Sequence, residues 1–550
     1  MSTEIDLGRA DLARWLDTRP SNFFTASVAL RALIERDWSA GQRAQYLTSL
    51  AEFGGVAAGA LDQAAVENNL GRNLPVLDPY DAVGRPGSPV VHHPSYHEAG
   101  RLIYGSGVMS AYGQVPSPHQ YILSLFFLSS QVGEGGHNCP LACTAGAIRA
   151  LQRVGTEAQQ QRYLPRLLDP DWDTNFSAAQ FLTEVQGGSD VGANATRAEL
   201  QEDGSWRIFG EKWFCSNADA DLILMTARVD GAAPGTRGLG LFLVPAVLPD
   251  GSRNRYRLRR LKDKLGTRSM ASSEIDFEGT YAEAVGPVER GFNTVMEEVI
   301  TTSRVYNAFS VCGLAQRAFL VARSYAAHRR AFGQPIGHYP LVRQNLALMA
   351  SDTDASLAGS WLLAGLWERQ DRGELSGDER AFFRVAVNLN KMWTAILAHE
   401  TIVRGIEVLG GNGAIESFSV LPRLLRDNVV CENWEGTHNV LCQQVLRDCR
   451  RLDLHQGFFR VLEGQLGAER IVGERAALER CLIAEDGLAS LQMRSLAVRL
   501  ASLVMLAGLR GLSGPGLQAR AQLFEKRHLD GAGEPDAAWL DLINSCEVQG

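Results

Sequence analysis

Lysine is nearly missing from this chain. Five of its 54 basic residues are Lys and the rest are Arg, an imbalance that reads as codon bias before it reads as phosphate recognition. An excess of positive charge is missing too. The 62 Asp and Glu residues outnumber the basic ones and leave a formal net charge of −8, so the bulk charge does not mark a nucleic-acid or anionic-membrane binder. No apolar run reaches the ~18 residues of a membrane span. The most apolar stretches, Tyr121–Leu128 and Leu496–Leu509, stop short, and Arg499 interrupts the second. A basic-then-apolar leader is not expected, since Glu4, Asp6, Asp11 and Asp17 acidify the opening. The nine Cys are odd in number and scattered, which disfavours a disulfide framework and favours a reducing compartment. These absences lead us to expect a cytoplasmic protein. No metal site is expected: His137, Cys139 and Cys143 cluster without a second ligand pair, and His92, His93 and His97 read as packed or surface histidines. No G-x-G-x-x-G follows a strand and opens a helix, which disfavours a Rossmann cofactor fold. Internal repeats and low-complexity tracts are also lacking.

What remains is a chain of 550 residues, 45% hydrophobic and 21% charged, with length for roughly three to four domains. Its hydrophobic period changes twice. Up to about residue 175 apolar residues recur at helical spacing, as in Gln42–Phe53 and Gln159–Leu168. From there to about 287 the chain turns to short β-branched and aromatic runs between turns: Trp206–Phe209 after Asp203-Gly204, Leu222–Val229, Leu239–Val244 and Glu274–Phe277. Helical spacing then returns, as in Val311–Arg330 and Leu341–Leu366, and continues through the last hundred residues, with loops at Gly511–Gly516 and Gly531–Pro535. The expected class is α+β: an N-terminal helical domain over 1–175, a middle β domain over 176–287, a C-terminal helical bundle over 288–450 and an extra helical domain over 451–550. Alternating β-α units with a parallel sheet do not fit this order.

Three segments carry chemistry. In Leu182-Thr183-Glu184-Val185-Gln186-Gly187-Gly188-Ser189-Asp190, adjacent glycines let the backbone approach a ligand and offer N–H groups and hydroxyls, as a phosphate or flat heterocycle needs; a plain loop entering a β domain reads the same. In Gly210-Glu211-Lys212-Trp213-Phe214-Cys215-Ser216-Asn217, an aromatic wall beside a hydroxyl suits a flat ring, and core packing in a β barrel suits it equally. In Glu432-Asn433-Trp434-Glu435-Gly436-Thr437-His438-Asn439, a carboxylate beside Trp and ahead of a helix suits a general base with a raised pKa, or a helix N-terminal acid paired with the dipole.

Together and in this order, the three segments resemble the acyl-CoA dehydrogenase family of flavoproteins. So do Gly155-Thr156-Glu157-Ala158-Gln159, Gly266-Thr267-Arg268-Ser269-Met270, Arg304, Arg329-Arg330-Ala331-Phe332-Gly333 and Leu409-Gly410-Gly411-Asn412-Gly413, over about residues 90 to 450. The runs LTEVQGGSDV, RLRRLKDKLGTRS and NWEGTHNVLCQQVLRD, with the C-terminal extension, most resemble the AidB-type branch, which is linked to the response to alkylation damage and carries a C-terminal helical domain implicated in duplex DNA binding.

The resemblance implies FAD held between the β domain and the helical bundle, with a neighbouring subunit completing its site in a homotetramer. Leu182, Thr183, Gly188 and Ser189 match the loop along the flavin and its pyrophosphate. Phe214 and Ser216 match a Trp and a Thr that cover the ring and bond its N5/O4 edge; Phe keeps the stacking surface without the indole N–H. Thr437 and Asn439 match positions that touch the cofactor. Arg329 and Phe332 match residues that hold the ADP half of the partner's cofactor. Glu407 stands where many members have Gln, ahead of Gly410 and Gly411, and is expected to face the adenosine or a cation. Glu435 matches the base that removes the α-proton of an acyl thioester while the β-hydrogen leaves as hydride to the flavin. Some branches place the base on the helix that here carries Ser303-Arg304. Ser303 cannot serve, and Arg304 is expected to tune Glu435.

The implied activity is therefore FAD-dependent acyl-thioester dehydrogenation. Two alternatives stand beside it: an AidB-type flavoprotein that binds duplex DNA, and a flavin oxidase or monooxygenase. Residues 451–550 hold 11 basic and 13 acidic side chains, a net of −2, so DNA binding would need Arg470, Arg475, Arg480, Arg494, Arg499 and Arg510 to form one basic face. The carrier (CoA or a carrier protein), the acyl length and the electron acceptor are not legible, and no membrane partner is expected.

Overall fold

A computed structural model describes residues 4–78, 80–85, 90–531 and 537–544. The chain gathers into two compact units, one of residues 61–117 and 134–306, the other of 1–60, 118–133 and 307–550.

The first unit is built on seven strands: β1 (Ala178–Phe181), β2 (Arg197–Leu200), β3 (Trp206–Ser216), β4 (Leu222–Val229), β5 (Leu239–Pro245), β6 (Tyr256–Leu261) and β7 (Ser272–Ala284). Strands β2, β3, β7, β5 and β4 pair in that order, and β4 returns to β2, so five strands close a ring. β1 adds to β4 in parallel and β6 to β7 antiparallel. Closure removes the exposed edges of an open sheet. Inward-facing Phe181, Ile208, Ile223, Met225, Phe242, Val244, Ile275 and Phe277 fill the core. The turn into β3 is set by Asp203, whose carboxylate accepts from Ser205 N at 2.8 Å, and by Gly204 at φ +81°.

Helices of this unit include Pro94–Tyr104, Gly135–Val154 and Glu157–Leu167. The last opens on a capping box between Thr156 and Gln159, two orphan N–H groups satisfied reciprocally. His92, Tyr96 and His137 stack ring on ring at 3.8 and 4.2 Å, flanked by Trp172; burial pushes His137 down to about 3, so it packs here as a neutral ring. Cys139 and Cys143 are buried and in no disulfide.

The second unit is helical. Its main elements are α1 (Thr301–His328, from residue 307), α2 (Pro340–Asp371), α3 (Gly377–Leu409), α4 (Leu421–Asn433), α5 (His438–Leu452), α6 (Asp486–Leu509) and α7 (Pro515–Glu525). Ser376 opens α3 with a capping box to Glu379. The C-terminal extension is fastened to α2 by packing and charge. Gly359 and Gly508 bring α2 and α6 close enough that a Cβ on Gly508 would strike the Ala358 carbonyl. Buried Arg520 pairs with buried Asp354 at 2.9 Å, and His528 and Arg527 both reach Asp352. Helix α6 is long and apolar enough to cross a membrane, yet 67% of its most apolar window is buried inside the unit, as in the core helix of a globular bundle.

Candidate active site

In the strand unit, the loop after β1 is tied to β3. The Thr183 carbonyl accepts from Trp213 N at 2.9 Å and the Leu182 carbonyl from Lys212 Nζ at 3.2 Å. Lys212 is fully buried and donates to Glu184 at 2.7 Å, and Glu184 also accepts from Ala195 N at 2.6 Å. Burial pushes Glu184 up, but the Lys212 charge and the hydrogen bonds from Thr196 and Ala195 hold its carboxyl below the usual range. Gly187 takes φ +134°, and a Cβ on Gly188 would overlap the Thr183 hydroxyl, so the pair lets the loop fold tightly while Gly188 and Ser189 stay exposed.

Between Lys212 and Cys215, β3 carries one residue more than β7 does opposite, a bulge at Trp213-Phe214. It leaves the Phe214 ring 50% exposed, with Lys262 Nζ 3.7 Å from the Trp213 ring centroid and 5.1 Å from that of Phe214. Two residues on, Ser216 Oγ lies 3.0 Å from Ser272 Oγ, which accepts from Lys264 at 2.9 Å. Leu182, Thr183, Gly188, Ser189, Phe214 and Ser216 thus come together on one part of the barrel. Arg304 belongs to the same unit and is buried on α1, next to Ser303, whose hydroxyl bonds Gln180 at 3.0 Å.

In the helical unit, α4 ends at Asn433 and α5 starts at His438, with Glu435 in the turn between. Glu435 is half-buried at φ +56° and Gly436 follows at φ +101°. A left-handed non-glycine residue costs about 1–2 kcal/mol, so the turn must be held. Lys391, fully buried on α3, donates to the Glu432 carbonyl at 3.1 Å and the Gly436 carbonyl at 3.0 Å. The Trp434 indole donates to Asn307 Oδ1 of α1, and its ring packs on Val311, Ala315, Ala395, Ala398 and Cys431. Thr437 caps α5 with its backbone only, and its side chain and that of Asn439 face outward.

Two further segments of this unit carry expected residues. Arg330–Ala331 pairs with Gln334–Pro335, and Phe332 (φ +50°) and Gly333 (φ +87°) form the two-residue loop that hairpin twist favours. The Phe332 ring is 97% exposed and Arg329 half-buried. At the end of α3, Gly410 (φ +61°) donates to the Glu407 carbonyl and ends the helix; Glu407, Gly410 and Gly411 are exposed, and a Cβ on either glycine would meet nothing within 4 Å. Asn412 Nδ2 bonds the Tyr325 hydroxyl at 3.2 Å, tying this segment to α1 one turn before Arg329.

Sequence reasoning passed over Lys391, Asn307, Lys262 and the Lys212–Glu184 pair. A signal existed: four of the five lysines contact these segments.

Comparisons with known proteins agree with this arrangement. The chain matches the family models for the adaptive response protein AidB N-terminal domain over 16–174, the acyl-CoA dehydrogenase middle domain over 179–280 and the acyl-CoA dehydrogenase C-terminal domain over 289–449. AidB of Escherichia coli (strain K12) is 33% identical over 438 residues, 78% of each chain. Among solved structures, Bd2924 in its apo form is 30% identical, with a TM-score of 0.84 over 90% of this chain and 98% of that one. ACDH-11 of Caenorhabditis elegans, solved in complex with C11-CoA, is 26% identical, with a TM-score of 0.82 over 93% and 92%. With all three consecutive domains matched and the barrel and bundle in place, the chain belongs to the acyl-CoA dehydrogenase family of FAD-dependent oxidoreductases and carries an AidB-type N-terminal domain.

Proposed function

We propose that this protein dehydrogenates an acyl thioester, with Glu435 as the base that takes the α-proton. The observation that carries the reading is the Glu435 turn: a half-buried carboxylate, in a backbone conformation that costs energy, clamped by a buried ammonium and an anchored indole. Strain held in place by its surroundings is characteristic of functional sites. Partial burial keeps a carboxylate dry enough to act as a base toward a weak carbon acid.

The residues of each unit fit FAD. In the strand unit, exposed Gly188 and Ser189 leave room for a pyrophosphate, the half-exposed Phe214 ring offers a stacking face, and Ser216 offers a hydroxyl. In the helical unit, Gly410 and Gly411 leave open backbone, Arg329 is half-buried and Phe332 turns outward. When bound, FAD supplies the hydride acceptor for the β-carbon. Glu435 takes the α-proton onto its carboxylate, and the C–H electron pair passes into the new double bond as the β-hydrogen departs. Acyl-CoA is the favoured thioester, the class held by the worm relative's complex. A ring as exposed as Phe332 supports assembly with copies of the chain, in the homotetramer expected from the resemblance.

The duplex-DNA reading draws less support. Of the six arginines it needs, Arg470 pairs with Glu525 and Asp530, Arg475 with Glu463, Arg499 with Glu474, and Arg494 is turned to His438. Paired arginines have little charge left to neutralise phosphates.

The test is anaerobic titration of the FAD-loaded protein with straight and branched acyl thioesters while flavin absorbance is followed. Bleaching by one class is expected, and Glu435→Gln should keep FAD but bleach about 10²–10⁴-fold more slowly. Undiminished reduction by Glu435→Gln would refute the base.

A further inference from the structure

We propose that Lys391 is a positioning residue for the base: its buried ammonium grips the chain on both sides of Glu435 and keeps the turn in the conformation that presents the carboxylate. The inference rests on reading Glu435 as the base.

The Glu432 carbonyl is among the last of α4, which the helix itself leaves without a donor. The Gly436 carbonyl lies beyond Glu435, at the entrance to α5. One ammonium at 3.1 and 3.0 Å from these two oxygens closes the turn across its base. A cation at a helix C-terminus also opposes the negative end of the dipole. The two left-handed residues inside the span, Glu435 and Gly436, are held by a tie at each end.

A lysine suits this place better than the arginine that dominates the chain. A compact ammonium carries three donors on a tetrahedral head and can reach two carbonyls that face one another, whereas a planar guanidinium presents a rigid fork. The indole of Trp434 gives a third point of attachment. Indole N–H only donates, so the Asn307 amide must turn its oxygen to the ring.

The charge has a second effect. A nearby cation favours a carboxylate over its acid, so Lys391 lowers the pH at which the base becomes available. The other charged or titratable groups around the turn are Glu432, which accepts from His399 at 2.9 Å; Arg494; and His438, whose ring nitrogen lies 3.4 Å from Arg494. Burial, then Lys391 and Arg494, push His438 down to about 4, so it is neutral where the reaction would run.

The test compares Lys391→Met with Glu435→Gln in the full-length, FAD-loaded protein, using the thioester that bleaches the unaltered protein fastest. Lys391→Met should slow reduction by about 10²-fold with KM changed less than about threefold, because misplacing a reacting group by an ångström has that consequence. The acid limb of its rate profile should move up by about one pH unit. Amide hydrogen exchange over residues 434–439 should quicken by about tenfold, a readout independent of turnover. A Lys391→Met protein that holds FAD with unchanged rate, pH limb and exchange would overturn the proposal. If Glu435→Gln reduces normally, the base assignment falls first; if it is inert while Lys391→Met is normal, only the Lys391 inference falls. Should Lys391→Met not fold, Lys391→Gln and the unaltered protein carry the test. The amide of Trp434, which donates to the Val430 carbonyl at 3.1 Å where the turn begins, must then exchange as slowly in the unaltered protein as the interior of α4, and fast exchange there would overturn the proposal.

Discussion

The loop 182–189 of the barrel and the turn 434–437 of the helical unit solve the same problem differently. Each bends the backbone through positive φ, at Gly187 in the loop and at Glu435 and Gly436 in the turn, and each is held by a fully buried lysine. Lys212 meets the carboxylate of Glu184, which also accepts the backbone N–H groups of Ala195 and Thr196 just before β2. Lys391 grips carbonyls on either side of a carboxylate that stands in the turn itself. A buried ammonium paired with a buried carboxylate fixes architecture and is electrically closed. One that grips the main chain on both sides of Glu435 fixes geometry and sets its charge beside a reacting group.

Removing each lysine should separate these roles. Lys212→Met would strand Glu184 as an uncompensated buried charge and is expected to destabilise by about 3–5 kcal/mol. Lys391→Met leaves two carbonyls short of a donor, about 1–3 kcal/mol. Denaturant unfolding of both, followed beside flavin reduction, checks the contrast: Lys212→Met should lose more stability, and Lys391→Met more rate per unit of stability. Equal losses on both scales would break it.

Gly188→Ala probes the barrel loop alone. Its Cβ would displace Thr183, and overpacking of this kind costs about 1–3 kcal/mol, read as roughly tenfold or more weaker retention of FAD. Glu435 keeps its surroundings in this variant, so once saturated with FAD the protein should reduce at the normal rate.

The smallest effect lies in pH. His438, held near 4 when folded and near 6.5 when unfolded, binds its proton more readily in the unfolded chain. Stability is therefore full above pH ~6.5 and falls as the pH drops toward 4, by on the order of 1 kcal/mol after allowance for its partial exposure. Glu184, depressed when folded, adds a loss at lower pH, as pH falls through its folded value. His438→Gln should make the decline between pH ~6.5 and 4 shallower and leave the share that belongs to buried His137, held near 3 when folded, as unfolding measured from pH 7 to 3 would reveal.

Much of this was legible in the sequence. Alternating β-branched and aromatic residues marked Leu222–Val229 and Leu239–Val244, and both are strands. The aromatic segment Gly210–Asn217 reads as a strand too, and it joins Trp206–Phe209 in the single strand β3; Gly210 and buried Lys212 interrupt the alternation between the two runs, and a bulge shifts the register. The loop glycines and the Glu435 turn were visible as motifs, since tight turns demand particular residues. Lys391 was not visible. It lies 44 positions before Glu435 in a helix with no motif of its own, and only folding brings α3 beneath the turn. The grouping of residues 1–60 with the last half of the chain is likewise a property of tertiary contact, which periodicity does not encode.

The scarcity of lysine gives the folded protein an unusual response to acylating reagents. Lys212 and Lys391 are sealed in the interior, Lys262 and Lys264 are half-covered near the proposed flavin face, and Lys526 alone among the lysines is exposed. An N-hydroxysuccinimide ester should modify one lysine rapidly in the native state and the rest as structure opens, so the mass of the labelled chain counts the steps of its unfolding.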